Sequence, residues 1–362
     1  MSAPQDLRSI ANQFRFRGEI SGIAPHGNGH INETYLVTCG HAEVARFILQ
    51  RINRNVFRDP AAVMENIERV TAHLAAQLLA EPDRSRRVLT LIPAKDGLAF
   101  HVGADGEFWR AYQFVGGAHS CETVESPRQA FQAARAFGHF QQQLATLPAT
   151  CLRVTIPDFH NTPKRYAALN RAIASDVCNR AALAEPEIAF ALAHESISGI
   201  LLNANLPERV THNDTKLNNV LFDDLSGEAL CVIDLDTVMP GLALYDFGDM
   251  VRTTTSPADE DERDLSRVQM QLPVFEALLR GYLSSAGEFL TKTEHLHLVF
   301  SGKLITFEMG IRFLTDFLNG DTYYKVHRPQ HNLDRCRTQF KLVESIEKQE
   351  EKMSRLVESI AK

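Results

Sequence analysis

The sequence predicts an α+β protein of two lobes, a small β-rich lobe followed by a large, mainly α-helical one. Three observations predict this. Runs of β-prone residues crowd the first 115 positions, Gly116-Gly117 interrupts them, and most of the remaining chain has helical periodicity. We therefore expect residues 1–115 to form one lobe and residues 116–362 the other. A chain of 362 residues is long enough for both lobes to have a core.

The small lobe is predicted to contain five strands and one long helix. The expected strands cover 19–24, 31–38, 45–52, 88–92 and 108–115. Gly27 and Gly29 lie in a turn between the first two, whose backbone amides could lie over phosphates; a plain hairpin turn is the alternative. Asp59 followed by Pro60 predicts the start of a helix, with Asp59 as the N-cap.

The large lobe is predicted to consist of successive helices around one short hairpin. Helices are expected over 126–147, from 162, and over 185–203, 266–285, 293–318 and 333–362. The acidic run 256–264 is interpreted as a solvated loop. A β-rich lobe, a Gly-Gly junction and a helical lobe with a hairpin at its near edge together suggest a bilobal, protein-kinase-like fold.

The stretch 210–252 has the clearest chemical pattern. Asp214 stands in His-Asn-Asp, and Asn219 follows five positions later, which is the spacing of a kinase catalytic loop. One carboxylate must orient the accepting hydroxyl and take its proton, while an amide oxygen holds Mg²⁺ beside the phosphates. A hairpin turning at 223–228 returns the chain, so Asp234 can face Asn219 across the metal. The alternative is that these are ordinary polar loop residues.

A second acidic motif in this stretch is interpreted differently. Asp246-Phe247-Gly248 spells the DFG of protein kinases but lies 32 residues after Asp214, beyond a Pro-Gly turn. The metal-binding Asp should directly follow the hairpin strand, as Asp234 does. We therefore expect Asp246 and Asp249 to brace the loops through backbone hydrogen bonds.

Composition and missing motifs exclude several other classes. The net charge of −7 argues against nucleic-acid binding. Six scattered cysteines without CxxC spacing, no apolar leader and no apolar run of about 20 residues predict a cytoplasmic protein without membrane association. The sequence has no GxxxxGK[ST], GxSxG or HExxH motif. Nothing in it indicates an oligomeric state.

The sequence resembles the aminoglycoside phosphotransferase/choline kinase-like superfamily, and within it the bacterial N-acetylhexosamine 1-kinases. The resemblance covers nearly the whole chain. It is carried by GHINETYLV, RFILQ, FWRAYQF, HNDTKLNN, IDLDTVMPG, FEMGIRFLTDFLNGDTYY and HNLDRCRTQFKLV. It implies transfer of the γ-phosphoryl of ATP, with Mg²⁺, to the anomeric hydroxyl of N-acetylglucosamine or N-acetylgalactosamine.

The resemblance also implies roles for single residues. Asp214 matches the catalytic base, and Asn219 and Asp234 match the Mg²⁺ ligands. Arg312 and Tyr323 match positions that contact the sugar, with helix-surface packing as the alternative, and His30 and Lys216 are further candidates for contact with the sugar or a phosphate. Residues 1–115 would bind the nucleotide, with adenine on the backbone of Gln113, Phe114 and Val115, and residues 116–362 would hold the catalytic and acceptor sites.

One position departs from the wider kinase pattern. The third strand usually carries a Lys that pairs the phosphates, but here Gln50 takes that place, so Mg²⁺ or another base such as Arg46 would have to supply the charge. Two alternatives therefore stay open beside the sugar kinase. One is a kinase of another acceptor, such as a different sugar, an amino alcohol or an aminoglycoside; the other is a non-catalytic nucleotide-binding protein.

Overall fold

The N-terminal region is built on one antiparallel sheet. The computed structural model describes residues 7–27, 31–40, 44–81 and 83–360. The elements of this region are α1 (Leu7–Ala11), β1 (Ile20–Pro25), β2 (Glu33–Cys39), β3 (Ala45–Arg51), α2 (Pro60–Gln77), α3 (Arg84–Arg87), β4 (Leu91–Ile92), β5 (His101–Val102) and β6 (Phe108–Gln113). Strand order is β1-β2-β3-β6-β4, with β5 also paired to β6. All five predicted strands form, although β4 is shorter than expected, and β5 was not predicted.

Helix α2 begins as its cap sequence predicts. The Asp59 side chain accepts a hydrogen bond from the backbone N–H of Ala62 at 3.1 Å, and Pro60 occupies the first helical position. Its apolar face is buried in the same core as several C-terminal helices. The sheet has a separate small core, formed with α1 on one face. Helix α2 therefore connects the sheet to the helical part of the molecule.

The C-terminal region is mainly helical, with short strands at its edge. Its elements are β7 (Ala118–His119), α4 (Pro127–Leu144), α5 (Thr162–Ser175), α6 (Glu185–Ala193), β8 (Arg209–Thr211), β9 (Val220–Asp223), β10 (Ala229–Val232), β11 (Met239–Gly241), α7 (Ala243–Thr254), α8 (Leu272–Ala286), α9 (Lys292–Leu318), α10 (His331–Glu347) and α11 (Glu350–Ile360). Strands β10-β9-β7 form one small sheet and β11-β8 another. This arrangement confirms the predicted α+β class.

Two predicted helices have the wrong extent. The helix expected over 185–203 ends at Ala193; a 3-10 turn (Glu195–Ile197) follows it, although Leu201 further on is buried. The helix expected over 333–362 divides into α10 and α11. The side chain of Gln349, between the two, donates to the carbonyl of Met270 at 2.7 Å, where the chain changes direction.

Close helix packing fixes the core behind the short strands. Helices α4 and α8 approach so closely that a Cβ on Gly281 would lie 2.1 Å from the carbonyl oxygen of Phe131. Phe247 and Tyr282 are fully buried beside them, with ring centroids 5.0 Å apart. This closely packed helical core supports the loops that follow β8 and β10.

In the described part of the chain, no helix has the length and apolar character needed to cross a membrane.

Candidate active site

The loop that carries Asp214 begins at the end of β8. Strand β8 pairs with β11, with Thr211 opposite Met239. Asn213 then adopts a left-handed conformation, φ 65°, which Asn tolerates better than most residues. Its side-chain amide donates to the carbonyl of Thr237 at 2.9 Å. The loop thus turns sharply and places Asp214 beside the segment that follows β10.

Asp246 holds the loop that carries Asp214 through hydrogen bonds to its backbone, as the sequence predicts. It lies on α7, is fully buried, and accepts hydrogen bonds from the backbone N–H groups of His212 at 2.9 Å and Asn213 at 2.7 Å. The side-chain amide of Gln141 donates to it at 2.7 Å. Its two oxygens are therefore engaged by the loop and by α4, which confirms its structural role.

Asp249 holds Thr215, the residue that follows Asp214, in the same way. It accepts from the backbone N–H of Thr215 at 2.9 Å and from the Arg252 guanidinium at 2.9 Å. Arg252 also pairs with Glu260 at 2.9 Å. The acidic run 256–264 is therefore not simply a solvated loop, because Glu260 contacts the brace and Asp261 pairs with Arg328 at 2.7 Å.

Asp214 and Lys216 form a close ion pair at the mouth of the loop. The Lys216 ammonium lies 2.8 Å from Asp214 Oδ1, and the two side chains are 42% and 21% exposed. Burial would raise the pKa of Asp214, but the Lys216 charge and hydrogen bond, with smaller contributions from other nearby groups, outweigh burial and lower the pKa. Asp214 is therefore held as a carboxylate, and both groups are within reach of bound molecules.

Asn219 lies against Asp214, and among the described residues no donor is found for its side-chain carbonyl oxygen, which could therefore bind a cation. Its side-chain N–H₂ donates to the backbone oxygen of Asp214 at 2.8 Å and to Asp214 Oδ2 at 3.1 Å. Its own backbone oxygen accepts from the N–H of Ile233 at 2.9 Å. The residue is thus fixed between the Asp214 loop and the end of β10.

The β9–β10 hairpin brings Asp234 to the same place. His212 bridges the two segments, since one ring nitrogen lies 2.9 Å from the carbonyl oxygen of Ile233 and the other accepts from the N–H of Asp214. Asp234 adopts φ 58° and its side chain is exposed in the cleft. Although the side chain keeps contact with solvent, desolvation by the surrounding protein raises the pKa of Asp234 to about 7, and the Asp236 and Asp214 charges add to this. A cation would relieve that repulsion.

This donor set fits a hard divalent cation. Two carboxylates and an amide oxygen are oxygen ligands of the kind Mg²⁺ prefers, with water and phosphate oxygens completing the coordination. Among the described residues, no group of three or more His, Cys, Asp or Glu side chains is arranged to hold a metal. Asn219 and Asp234 could therefore hold the ion only together with other ligands. A bound ion would neutralise charge on the phosphates.

The turn after β1 borders a cavity. Gly27 adopts φ 73°, which favours glycine, and a cavity of about 220 Å³ is lined by residues 25–27 and 32–35. The predicted contacts of Gly29 and His30 lie outside the described residues. The cavity is on the side of the sheet edge where phosphates were expected.

The segment after β6 was predicted to receive adenine. The backbone N–H of Gln113 already donates to Thr90 and that of Phe114 to Arg46. Among the described residues, the N–H of Val115 has no such partner. The Arg46 guanidinium lies 4.3 Å from the centroid of the Phe114 ring. Arg46 therefore packs against the segment between the two lobes, and its role in place of a lysine at Gln50 stays a prediction.

Arg312 and Tyr323 lie on α9 and on the loop that follows it. The Arg312 guanidinium lies 5.3 Å from the Phe159 ring centroid and 5.9 Å from that of Tyr324. Tyr323 is 61% exposed. Asp316 shapes the loop by accepting from the backbone N–H groups of residues 322, 323 and 324 at 2.8–2.9 Å. The sequence indicated Arg312 and Tyr323 as candidates, but it did not indicate Asp316, the buried carboxylate that orders the loop carrying Tyr323.

Three further polar groups near Arg312 were not predicted. Among the described residues, no hydrogen-bond partner is found for buried atoms of Arg165 (Nε), His160 (Nε2) and Tyr324 (the hydroxyl). Burial and the Arg312 charge lower the pKa of Arg165. In the sequence these three residues are ordinary polar positions near the start of a helix or in a loop. Such positions do not reveal a cluster that forms between distant parts of the chain.

Comparison with known proteins agrees with this geometry. Residues 22–283, well over half of the chain, match the family described as the phosphotransferase enzyme family. Among solved structures, a microcompartment-associated aminopropanol kinase shares 17% identity at TM-score 0.59, covering 96% of this chain and 98% of that one. A spectinomycin phosphotransferase solved with ADP and spectinomycin shares 12% identity at TM-score 0.61, covering 96% and 99%.

A third structure, an ethanolamine kinase from Plasmodium vivax, shares 14% identity at TM-score 0.55 and covers 88% of this chain and 82% of that one. At these identities the three likenesses establish the fold, which is the bilobal kinase-like fold expected from the sequence. The family match is the stronger finding, because it spans the sheet, the Asp214 loop, the hairpin and α7. The chain therefore belongs to the phosphotransferase enzyme family.

Proposed function

We propose that this protein is an ATP- and Mg²⁺-dependent kinase that phosphorylates the anomeric hydroxyl of N-acetylhexosamines, giving the sugar 1-phosphate. Asp214 is the base that orients the acceptor hydroxyl and receives its proton. Asn219 and Asp234 hold Mg²⁺, while Lys216 contacts a phosphate or the sugar. Residues 1–115 form the nucleotide-binding lobe and 116–362 the catalytic and acceptor lobe.

The observation that carries the choice of acceptor is the charge of the predicted acceptor contacts. Arg312 and Arg165 have no carboxylate within ion-pair distance in the described part of the chain. The nearby Glu308 is already engaged by His160 at 2.9 Å and Thr162 at 2.6 Å. A protonated amine would meet two positive charges that Glu308 offsets only from beyond ion-pair distance, whereas hydroxyl and acetyl oxygens can accept from them.

A kinase of amino alcohols or aminoglycosides is the second candidate. The three structures described above act on amine-bearing acceptors according to their names, which keeps this class in view. Their identity to this chain is at most 17%, so the acceptor does not carry over. The cationic contacts of Arg312 and Arg165 favour the N-acetylated sugar.

The chemistry follows from positioning and charge. Phosphoryl transfer needs little covalent work from the protein, so a fixed carboxylate beside the acceptor and a neutralised phosphate account for most of the catalysis. Asp214 is fixed by the three backbone hydrogen bonds that Asp246 and Asp249 accept from its loop. The loop is therefore ordered before substrate binds.

Consumption of ATP should be measured with N-acetylglucosamine, N-acetylgalactosamine, galactose, glucosamine, ethanolamine and kanamycin. We expect turnover with the two N-acetylated sugars, and phosphorus NMR of the product should place the phosphate on C1. Glucosamine is the matched control, because it differs from N-acetylglucosamine by a positive charge in place of an amide. Preferred turnover of glucosamine or kanamycin, or phosphate on C6, would contradict the proposal.

A further inference from the structure

Arg110 makes a buried ion pair that joins the sheet to the turn carrying Asp234. It lies on β6 and is 1% exposed, and its guanidinium donates to Asp236, which is 3% exposed. Burial would lower the pKa of Arg110, but the Asp236 charge and hydrogen bond, together with Tyr112 and Asp234, outweigh burial and raise the pKa. The guanidinium is therefore charged, and neither partner is open to solvent.

The other contacts of this pair lead to three segments of the sheet. Asp236 also accepts from the side-chain amide of Asn32, ahead of β2, at 2.6 Å. Arg110 donates through Nε to Gln50 on β3 at 3.0 Å. The oxygen of Asn32 in turn accepts from the N–H of Asn53 at 3.0 Å. The Asp236 carboxylate, which belongs to the C-terminal region, thus links three parts of the sheet, at β2, β3 and β6.

Gln50 is the position where a charged residue was expected. Register pairs Gln50 with Arg110 across the β3–β6 ladder, so the positive charge missing from β3 is present on the neighbouring strand. Its partner Asp236 is two residues beyond Asp234. The Arg110 charge also acts on Asp234, opposing the rise in its pKa.

We propose that Arg110 is a positioning residue for phosphoryl transfer, which through Asp236 fixes the turn carrying Asp234 against the sheet. Its near-complete burial leaves no room for direct contact with a nucleotide. The ion pair thereby takes over the orienting task for which Gln50 has no charge. This inference rests on the proposed role of Asp234 in holding Mg²⁺, but not on the identity of the acceptor.

The test is the affinity for a fluorescent ADP analogue, measured with Mg²⁺ and with EDTA, so that no acceptor is needed. We expect Arg110→Met to lose about tenfold or more of the gain in affinity that Mg²⁺ provides, while affinity in EDTA changes by less than about threefold. Arg51→Met is the matched control, since Arg51 pairs with Glu33 on the sheet surface and, among the described residues, makes no hydrogen bond or ion pair with the 234–237 turn. It should change neither value.

A second variant separates positioning from folding. Removing one partner of a buried ion pair leaves an uncompensated charge, whereas removing both is often tolerated. Arg110→Met/Asp236→Asn should therefore recover most of the melting temperature lost in Arg110→Met but not the Mg²⁺-dependent gain. If Arg110→Met does not fold, this double variant decides the question alone.

Three results would overturn the proposal. A tenfold loss of affinity in EDTA would mean that Arg110 touches the nucleotide. A double variant with the full Mg²⁺-dependent gain would mean that the pair only packs the fold. A stronger response to Mg²⁺ in Arg110→Met would mean that Asp236 is itself a metal ligand. If the wild-type affinity does not respond to Mg²⁺, the proposed metal site fails as well, which distinguishes the two failures.

Discussion

Substituting Asp246 by Asn tests whether the carboxylate beneath the catalytic loop orders Asp214. Asp246 accepts two backbone N–H groups, from His212 and Asn213, and one side-chain amide, from Gln141. An Asn has a single acceptor oxygen, so it can retain the bond to Asn213 but presents an N–H₂ group to the N–H of His212. A buried backbone donor is then left without a partner.

The size of the effect follows from these bonds. A hydrogen bond to a charged group contributes about 1.5–3 kcal/mol, and an unsatisfied buried donor costs about 1–3 kcal/mol. Because the substitution also removes a buried charge, whose pKa burial raises, we expect a net loss of about 2–4 kcal/mol in the free energy of unfolding. His212 and Asn213 directly precede Asp214, so a shift of about 1 Å should lower kcat about 10²-fold.

Urea denaturation and steady-state kinetics measure the two effects. Asp259→Asn is the matched control, because Asp259 is exposed in the acidic run and no side-chain hydrogen bond or ion pair of it is found among the described residues. An Asp246→Asn variant with wild-type stability and kcat within twofold of wild type would refute the reasoning. It would also reopen Asp246 as a residue with some other task.

Three further predictions follow from single contacts. Asp214→Asn should lower kcat by about 10²–10⁴ in the kinase assay, and near-full activity would refute its role as base. Glu308→Gln should cost about 3 kcal/mol of unfolding free energy at pH 7, because it breaks a buried pair with an imidazole. Burial would raise the pKa of Glu308, but its imidazole partner lowers it. The ionised carboxylate therefore stabilises the fold above its unfolded pKa of about 4.3, and the variant's deficit in unfolding free energy should shrink as pH falls below about 4. A deficit that stays constant over this pH range in urea titrations would contradict this. Gly281→Ala should lower the melting temperature by forcing α8 away from the carbonyl of Phe131, while Gly22→Ala, which meets no atom within 4 Å, should not.

The local rules of the chain predicted most of the architecture. Asp59-Pro60 marks the start of α2, and the DDLSG turn between two apolar runs marks the β9–β10 hairpin. Prediction failed where periodicity alone was used. Leu192 and Ile200 continue a helical pattern on the sequence, yet they face solvent while Leu201 is buried, and the helix ends at Ala193. Whether an apolar residue is buried depends on neighbours that lie far away in the chain.

The candidate site divides in the same way. Asp214, Asn219 and Asp234 could be proposed because they occur within 21 residues, with a hairpin that dictates how the chain returns. Arg165 could not be proposed, because its relation to Arg312 depends on the packing of α5 against α9. The ordering of the 322–324 loop by Asp316 is equally invisible in the sequence.

By itself the sequence determined the fold class, the hairpin and the three polar groups at its base, because turns, caps and short spacings act locally. Only the tertiary structure showed that a buried arginine lies beside Gln50. Arg110 stands 60 residues from Gln50 and 126 from Asp236, and nothing in either spacing signals a contact. The sheet register places two of these side chains together, and burial then requires the third, since a charge removed from water must be paired.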